Sequence, residues 1–175
     1  MAPAVDLRSF IRAIPDFPQP GILFRDITPL LADPLALATA IDGLARLAAD
    51  AHVDLVIGAE ARGFLLGPAL AARLGAGFVP ARKPGRLPHD AVSATYALEY
   101  ADATLELHTD PVLDGAHVLV HDDLLATGGT ANALCELVTR LGGHVVGAVF
   151  LIELADLAGR DQLSCPVDAL ITYGG

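Results

Sequence analysis

Val118-Leu119-Val120-His121-Asp122-Asp123-Leu124-Leu125-Ala126-Thr127-Gly128-Gly129-Thr130 decides the fold of this chain. Val118 to Val120 predicts a buried strand, because β-branched and apolar residues run without interruption. Two adjacent carboxylates end the run, and a loop of small and hydroxylated residues follows. Ala131 to Leu141 then predicts a helix, stopped by Gly142-Gly143. Strand, acidic pair, Thr-Gly-Gly-Thr loop and helix together imply a cradle for a ribose phosphate. Loop N–H groups and threonine hydroxyls can point at a phosphate, and the helix N-terminus adds partial positive charge. The glycines let the backbone come close to a ligand. Asp122 and Asp123 can accept hydrogen bonds from vicinal hydroxyls such as those of ribose.

The same strand–loop–helix rhythm extends on both sides. Asp54-Leu55-Val56-Ile57 predicts a strand, Gly58 to Gly63 its loop, and Phe64 to Leu74 a helix closed at Gly75 to Gly77. Phe78-Val79-Pro80 predicts a second short strand, and Val145 to Leu154 another apolar one. Asp33-Pro34 predicts a helix start, with Asp as the cap and Pro in the first turn. Leu37, Ile41, Leu44 and Ala48 then share one helical face. At the start, Leu7, Phe10, Ile11 and Ile14 follow helical spacing and predict a short amphipathic helix, ended by Pro15, Pro18, Pro20 and Gly21. Residues Arg82 to Thr95 show no period and predict a mobile loop. Tyr96 to Tyr100 and Thr104 to His108 predict a hairpin around Ala101-Asp102. Alternating strands and helices predict an α/β fold, a mostly parallel twisted sheet flanked by helices.

A chain of 175 residues is long enough for one full core, and no internal repeat or linker divides it. The apolar fraction is 53%, yet no run approaches the length of a membrane span. The first residues lack a basic region and a long apolar stretch, so the expectation is a soluble, cytoplasmic protein with no membrane partner. A net charge of −10 argues against nucleic-acid binding. Arg82, Lys83 and Arg86 nevertheless cluster, which suits a small anionic ligand. Cys135 and Cys165, with no CxxC, predict core residues rather than a disulfide framework or zinc site. The histidines predict no metal site: His117 and His121 on one strand are about 13 Å apart.

The motif at Asp122 to Thr130 resembles the PRPP-binding motif of the type I phosphoribosyltransferases. Three further stretches resemble the adenine phosphoribosyltransferase family: Ile14 to Thr28, Glu60-Ala61-Arg62-Gly63-Phe64 with Arg82 to Pro88, and Tyr96-Ala97-Leu98-Glu99-Tyr100. The similarity runs from about Phe10 to Glu153 in the expected order.

That resemblance implies a single phosphoribosyltransferase domain over 1–175, with an N-terminal hood over about 1–33 and a mobile loop over about 82–102. It implies conversion of adenine and PRPP to AMP and pyrophosphate in purine salvage. By the same resemblance Ala126, Thr127, Gly128, Gly129 and Thr130 hold the 5-phosphate, and Asp122 and Asp123 the ribose hydroxyls. Glu60, Ala61, Arg62, Arg82, Lys83 and Arg86 face the pyrophosphate, with a cis peptide expected between Glu60 and Ala61. Leu23, Phe24 and Arg25 form the adenine pocket, and Glu99 is the catalytic residue, handling a proton at the purine ring. Mg²⁺ is expected with the diphosphate and water rather than on dedicated protein ligands. The family also implies a homodimer.

Three departures stand out. His121 occupies a strand position usually apolar in the family, Ala101 replaces a glycine, and Arg86 replaces a lysine. The C-terminal Ile171 to Gly175 matches weakly. Two rival functions remain at this stage: transfer to another nucleobase, decided at Leu23-Phe24-Arg25, and a non-catalytic PRPP-sensing regulator. A spare DNA-binding domain would favour the regulator, and the chain shows none.

Overall fold

The computed structural model describes residues 5–97, 102–109 and 113–174. Its centre is a parallel sheet of five strands: β3 (Leu55–Ala59), β4 (Gly77–Ala81), β7 (His117–Leu125), β8 (His144–Leu154) and β9 (Val167–Tyr173). Their order is β4-β3-β7-β8-β9, all pairs parallel. The chain order therefore reverses between β3 and β7. In open α/β sheets ligands bind at such a point, beyond the C-terminal strand ends.

Both faces of the sheet are covered, which is why its central strands read as continuous apolar runs. On one face lie α2 (Pro34–Leu47) and α3 (Gly63–Leu74), where Ala36, Ala40, Leu44, Leu66 and Leu70 pack on Val56, Leu119 and Leu151. The α2 start is as expected: Asp33 accepts the N–H groups of Leu35 and Ala36 at 3.0 and 2.8 Å. On the other face lies α4 (Gly129–Arg140), with a hairpin of β5 (Ala91–Ala97) and β6 (Asp102–His108). Leu134, Leu137, Leu105 and Leu107 there pack on Ile57, Val118, Val120 and Phe150.

The N-terminal region departs from expectation. A 3₁₀ turn at Leu7–Phe10 is followed by β1 (Arg12–Pro15), paired antiparallel with β2 (Leu23–Asp26). The helical spacing of Leu7 to Ile14 is real, but so short a helix has too few bonds to offset nucleation. Pairing with β2 takes the second half of the segment instead. A single-turn helix, α1 (Thr28–Ala32), then leads into α2.

Part of the segment expected as a mobile loop is regular structure. Strand β5 begins at Ala91, in register with His108, so the hairpin starts five residues before Tyr96. Its alternation is hidden by small residues: Ala94 is buried, and Val92 reaches the core. Strand β9 carried no prediction, although Val167 to Tyr173 is rich in β-branched and aromatic residues. Cys135 and Cys165 pack against one core, as expected, with their thiols beside one another. That contact pulls the Cys165 thiol down to about 7.

Candidate active site

The C-terminal ends of β3 and β7 deliver the two motifs to one place. After β3 the chain turns through Glu60-Ala61-Arg62 into α3, and the expected cis peptide between Glu60 and Ala61 is present. After β7 it passes through Ala126-Thr127-Gly128 into α4. Helix α4 begins on Gly128 with no side chain capping it. Its first N–H groups are therefore available to an anion.

Gly128 has φ +88, and a Cβ there would strike the backbone oxygen of Gly159 well inside contact distance. Gly159, in the 3₁₀ turn Gly159–Gln162, meets the oxygen of Ala126 in the same way. Two bare backbones thus brace the loop from behind. Sequence reading identified Gly128 but missed Gly159, whose partner is 31 positions away and leaves no local signal. The Thr130 hydroxyl donates to the Tyr96 hydroxyl at 3.2 Å, tying the hairpin to this loop.

Asp123 is 1% exposed, while Asp122 beside it is half-buried. The Asp123 N–H donates to Asp122 Oδ1 at 2.8 Å. Arg62 Nε stands 3.3 Å from Asp123 Oδ1, an ion pair without a well-formed hydrogen bond. Burial raises both carboxyls, and at Asp122 the neighbouring Asp123 charge adds to it; Arg62 opposes the rise at Asp123. A pair so placed favours hydroxyl donors and nearby positive charge.

Glu60 turns to the basic segment. It accepts from Arg82 through both oxygens, at 3.3 and 3.1 Å, and from the Lys83 N–H at 3.1 Å. Those bonds hold its carboxyl below the usual range. Arg82 is thereby clamped, whereas the exposed Lys83 and Arg86 side chains carry no ion pair among the described residues.

A cleft of about 970 Å³ reaches this region at Arg62, Ala126 and Thr127. Leu23, Phe24 and Arg25 line it together with Arg62, Ala126 and Thr127. Phe17 meets Phe24 edge-on at 5.1 Å, and the Arg62 guanidinium lies 5.6 Å from the Phe24 ring centre. Arg25 stacks on Tyr173 at 3.8 Å. The segment 18–22 forms a further wall, and so do Leu124, Leu154, Asp156, Leu157, Tyr173 and Gly174. Leu124, Leu154, Asp156 and Leu157 were not expected, because each is brought in by β7, β8 or the turn after β8; Tyr173 and Gly174 belong to the weakly matching C-terminal stretch. Glu99 lies outside the described residues.

Residues 30–168 match the family described as phosphoribosyl transferase domain. The adenine phosphoribosyltransferase of Thermotoga petrophila is 54% identical over 170 residues, spanning 97% of this chain and 100% of that protein. The chain belongs to the adenine phosphoribosyltransferase family. The crystal structure of adenine phosphoribosyltransferase from Thermoanaerobacter pseudethanolicus superposes with a TM-score of 0.93 at 49% identity, over 95% of this chain and 98% of that one. The Saccharomyces cerevisiae adenine phosphoribosyltransferase, complexed with an imino-altritol bisphosphate and adenine, gives 0.87 at 39%, over 92% and 94%.

Against the adenine phosphoribosyltransferase pattern, His121 is the informative departure. It is fully buried two residues before Asp123; its Nδ1 donates to the Val149 oxygen at 3.0 Å, and its Nε2 has no partner among the described residues. Burial pushes it down to about 4, so it is neutral in the folded protein. Unfolded, it titrates near 6.5. The unfolded state binds the extra proton between those values, so this group's contribution is present above pH 6.5 and is lost as pH falls toward 4. The expected slope is about 1.4 kcal/mol per pH unit. His121→Leu should remove that slope, read as the difference between the two proteins' pH–stability curves. Parallel curves from pH 7 to 4 would show that His121 is not buried neutral.

Proposed function

We propose that this chain transfers the ribosyl 5-phosphate of PRPP to adenine, forming AMP and releasing pyrophosphate, with the following division of labour. The observation that carries it is the loop Ala126-Thr127 between Asp122-Asp123 and the uncapped α4 N-terminus, which lines the same cleft as Leu23-Phe24-Arg25. The N–H groups and hydroxyls of Ala126 to Thr130 hold the 5-phosphate. Asp122 and Asp123 accept from the ribose hydroxyls, and their charge favours the positive character that develops at C1 as pyrophosphate leaves. Adenine lies against Phe24, whose ring offers a stacking face, while Leu23 and Arg25 shape the pocket.

The leaving diphosphate is met by Arg62, Lys83 and Arg86 and by the backbone at Glu60-Ala61. Glu60 contributes by clamping Arg82 at the base of the loop, since its own charge would repel the diphosphate. Closure of about 82–102 over the cleft excludes water, which would otherwise hydrolyse PRPP. Glu99 handles the proton at the purine nitrogen. It follows Tyr96 by three residues in the chain, and the Tyr96 hydroxyl accepts from Thr130.

Mg²⁺ fits this site. Carboxylate oxygens are hard donors, and Asp123 Oδ1 lacks a well-formed hydrogen bond. Asp122 and Asp123 would face the water shell of an ion carried by the diphosphate, which supplies charge neutralisation there. A homodimer and a cytoplasmic location follow the family; among the described residues no helix is long and apolar enough to cross a membrane.

The test is conversion of labelled adenine to AMP with PRPP and Mg²⁺, alongside hypoxanthine, guanine and uracil. Adenine should be preferred; equal use of another base would place this chain with a different base specificity, and no conversion would end the reading. Asp123→Asn keeps shape, removes one ribose-facing charge and strips Arg62 of its partner. One hydrogen bond to a charged group is worth about 1.5–3 kcal/mol. Steady-state kcat/KM for PRPP should therefore fall about 10- to 150-fold with thermal stability little changed. An unaltered rate would remove Asp123 from the site.

A further inference from the structure

The N-terminal edge of the sheet, opposite the cleft, gathers three imidazoles and a carboxylate. Strand register does this. Leu55 aligns with Val118 and His117 with His144, so the first residues of β3, β7 and β8 stand side by side. His52 and Asp54 lie just before β3. Spacing along β7 keeps His117 from His121, and on that ground no metal site was expected; pairing between strands brings His117 other partners.

Asp54 Oδ1 lies 3.0 Å from His52 Nε2, and Oδ2 lies 3.1 Å from His117 Nδ1. One ligand atom from each of the three residues lies within 4.8 Å of the others. In a tetrahedral site with bonds of about 2.0–2.1 Å, neighbouring donor atoms are about 3.3 Å apart. The two nitrogen–oxygen separations are close to that, each to a different oxygen of Asp54, so the carboxylate would meet the ion through both oxygens. The His117 backbone N–H donates to Asp54 Oδ2 at 2.8 Å and fixes the carboxylate's orientation, the kind of outer support that metal ligands need. The His144 ring centre is 6.0 Å from that of His117.

We propose that His52, Asp54 and His117 bind a divalent transition-metal ion of the zinc class, with His144 close enough to supply a fourth ligand by side-chain rotation. Two imidazoles and one carboxylate suit Zn²⁺, Co²⁺ or Ni²⁺ and disfavour Mg²⁺. The site is therefore chemically separate from the diphosphate's ion. His117 precedes Asp122 on one strand by about 17 Å, so the ion takes no part in transfer. It ties the turn before β3 to the start of β7 and stabilises the folded state by mass action.

Co²⁺ is the probe, because a tetrahedral nitrogen–oxygen site gives visible absorption bands. Metal-free protein should bind one equivalent of Co²⁺, displaced by Zn²⁺ but not by millimolar Mg²⁺, and Zn²⁺ should raise the melting temperature. His52→Ala and His117→Ala should each weaken binding by more than about 100-fold, beyond the loss typical of an outer-shell change. Both should abolish the Zn²⁺-dependent rise. His52 is 73% exposed at its side chain, so its removal leaves the fold intact; circular dichroism checks this for both. His89→Ala, in the separate His89–His108 pair, should bind as wild type. Equal affinity in all variants, loss confined to His89→Ala, or displacement by Mg²⁺ would each overturn the assignment.

Discussion

Gly128→Val is expected to lose PRPP binding by at least about 100-fold and to lower thermal stability as well. A left-handed backbone costs an L side chain roughly 1–2 kcal/mol, and Gly128 has φ +88. The added Cβ also meets the backbone oxygen of Gly159, and overpacking of that kind costs about 1–3 kcal/mol. Together these are about 2–5 kcal/mol. The loop can relieve them only by moving away from Gly159, into the space where the phosphate belongs. A hundredfold loss needs about 2.8 kcal/mol at 1.4 kcal/mol per decade, which lies within that range. From the motif alone, the obstruction falls on the ligand and the fold is spared. The contact with Gly159 moves part of it into the protein, which is why stability should fall too. Calorimetric titration with PRPP and a thermal melt read both effects. Binding at wild-type strength would contradict the cradle, and an unchanged melt would contradict the Gly159 brace.

Glu99→Gln is expected to reduce turnover by 10²–10⁴, the usual contribution of a well-placed acid or base. That is about 3–5 kcal/mol at 1.36 kcal/mol per decade. Glutamine keeps the size and a hydrogen-bonding carbonyl but cannot exchange a proton. PRPP affinity should change little, because Ala126 to Thr130 and Asp122-Asp123 carry that binding in the proposed arrangement. Wild-type turnover with normal protection of the 82–102 segment from proteolysis would make Glu99 a lid residue. Collapse of PRPP binding would instead place it on the diphosphate.

Where a signal is local, the chain declares it. Val118 to Thr130 announces strand, acidic pair, loop and helix, because each depends on neighbours within one turn or one strand. The start of α2 is written in Asp33-Pro34 for the same reason. The β3–loop–α3 unit could be placed ahead of the structure, as could a parallel sheet with two covered faces, while the cis peptide was expected only from the family resemblance. What depended on partners far along the chain could not be placed. Leu7 to Ile14 has helical spacing, but Arg12 to Pro15 is a strand because β2 pairs with it. Ala91 to Tyr96 hides its alternation in small residues and becomes a strand against β6. Gly159 behind the phosphate loop, Tyr173 under Arg25, and the Asp54 carboxylate between His52 and His117 are all contacts across the sheet's pairing order. Local backbone preference and side-chain period act within a few residues and are therefore readable from the chain. Which strands become neighbours is settled by burial of both sheet faces at once, and only the folded structure shows which distant side chains then meet.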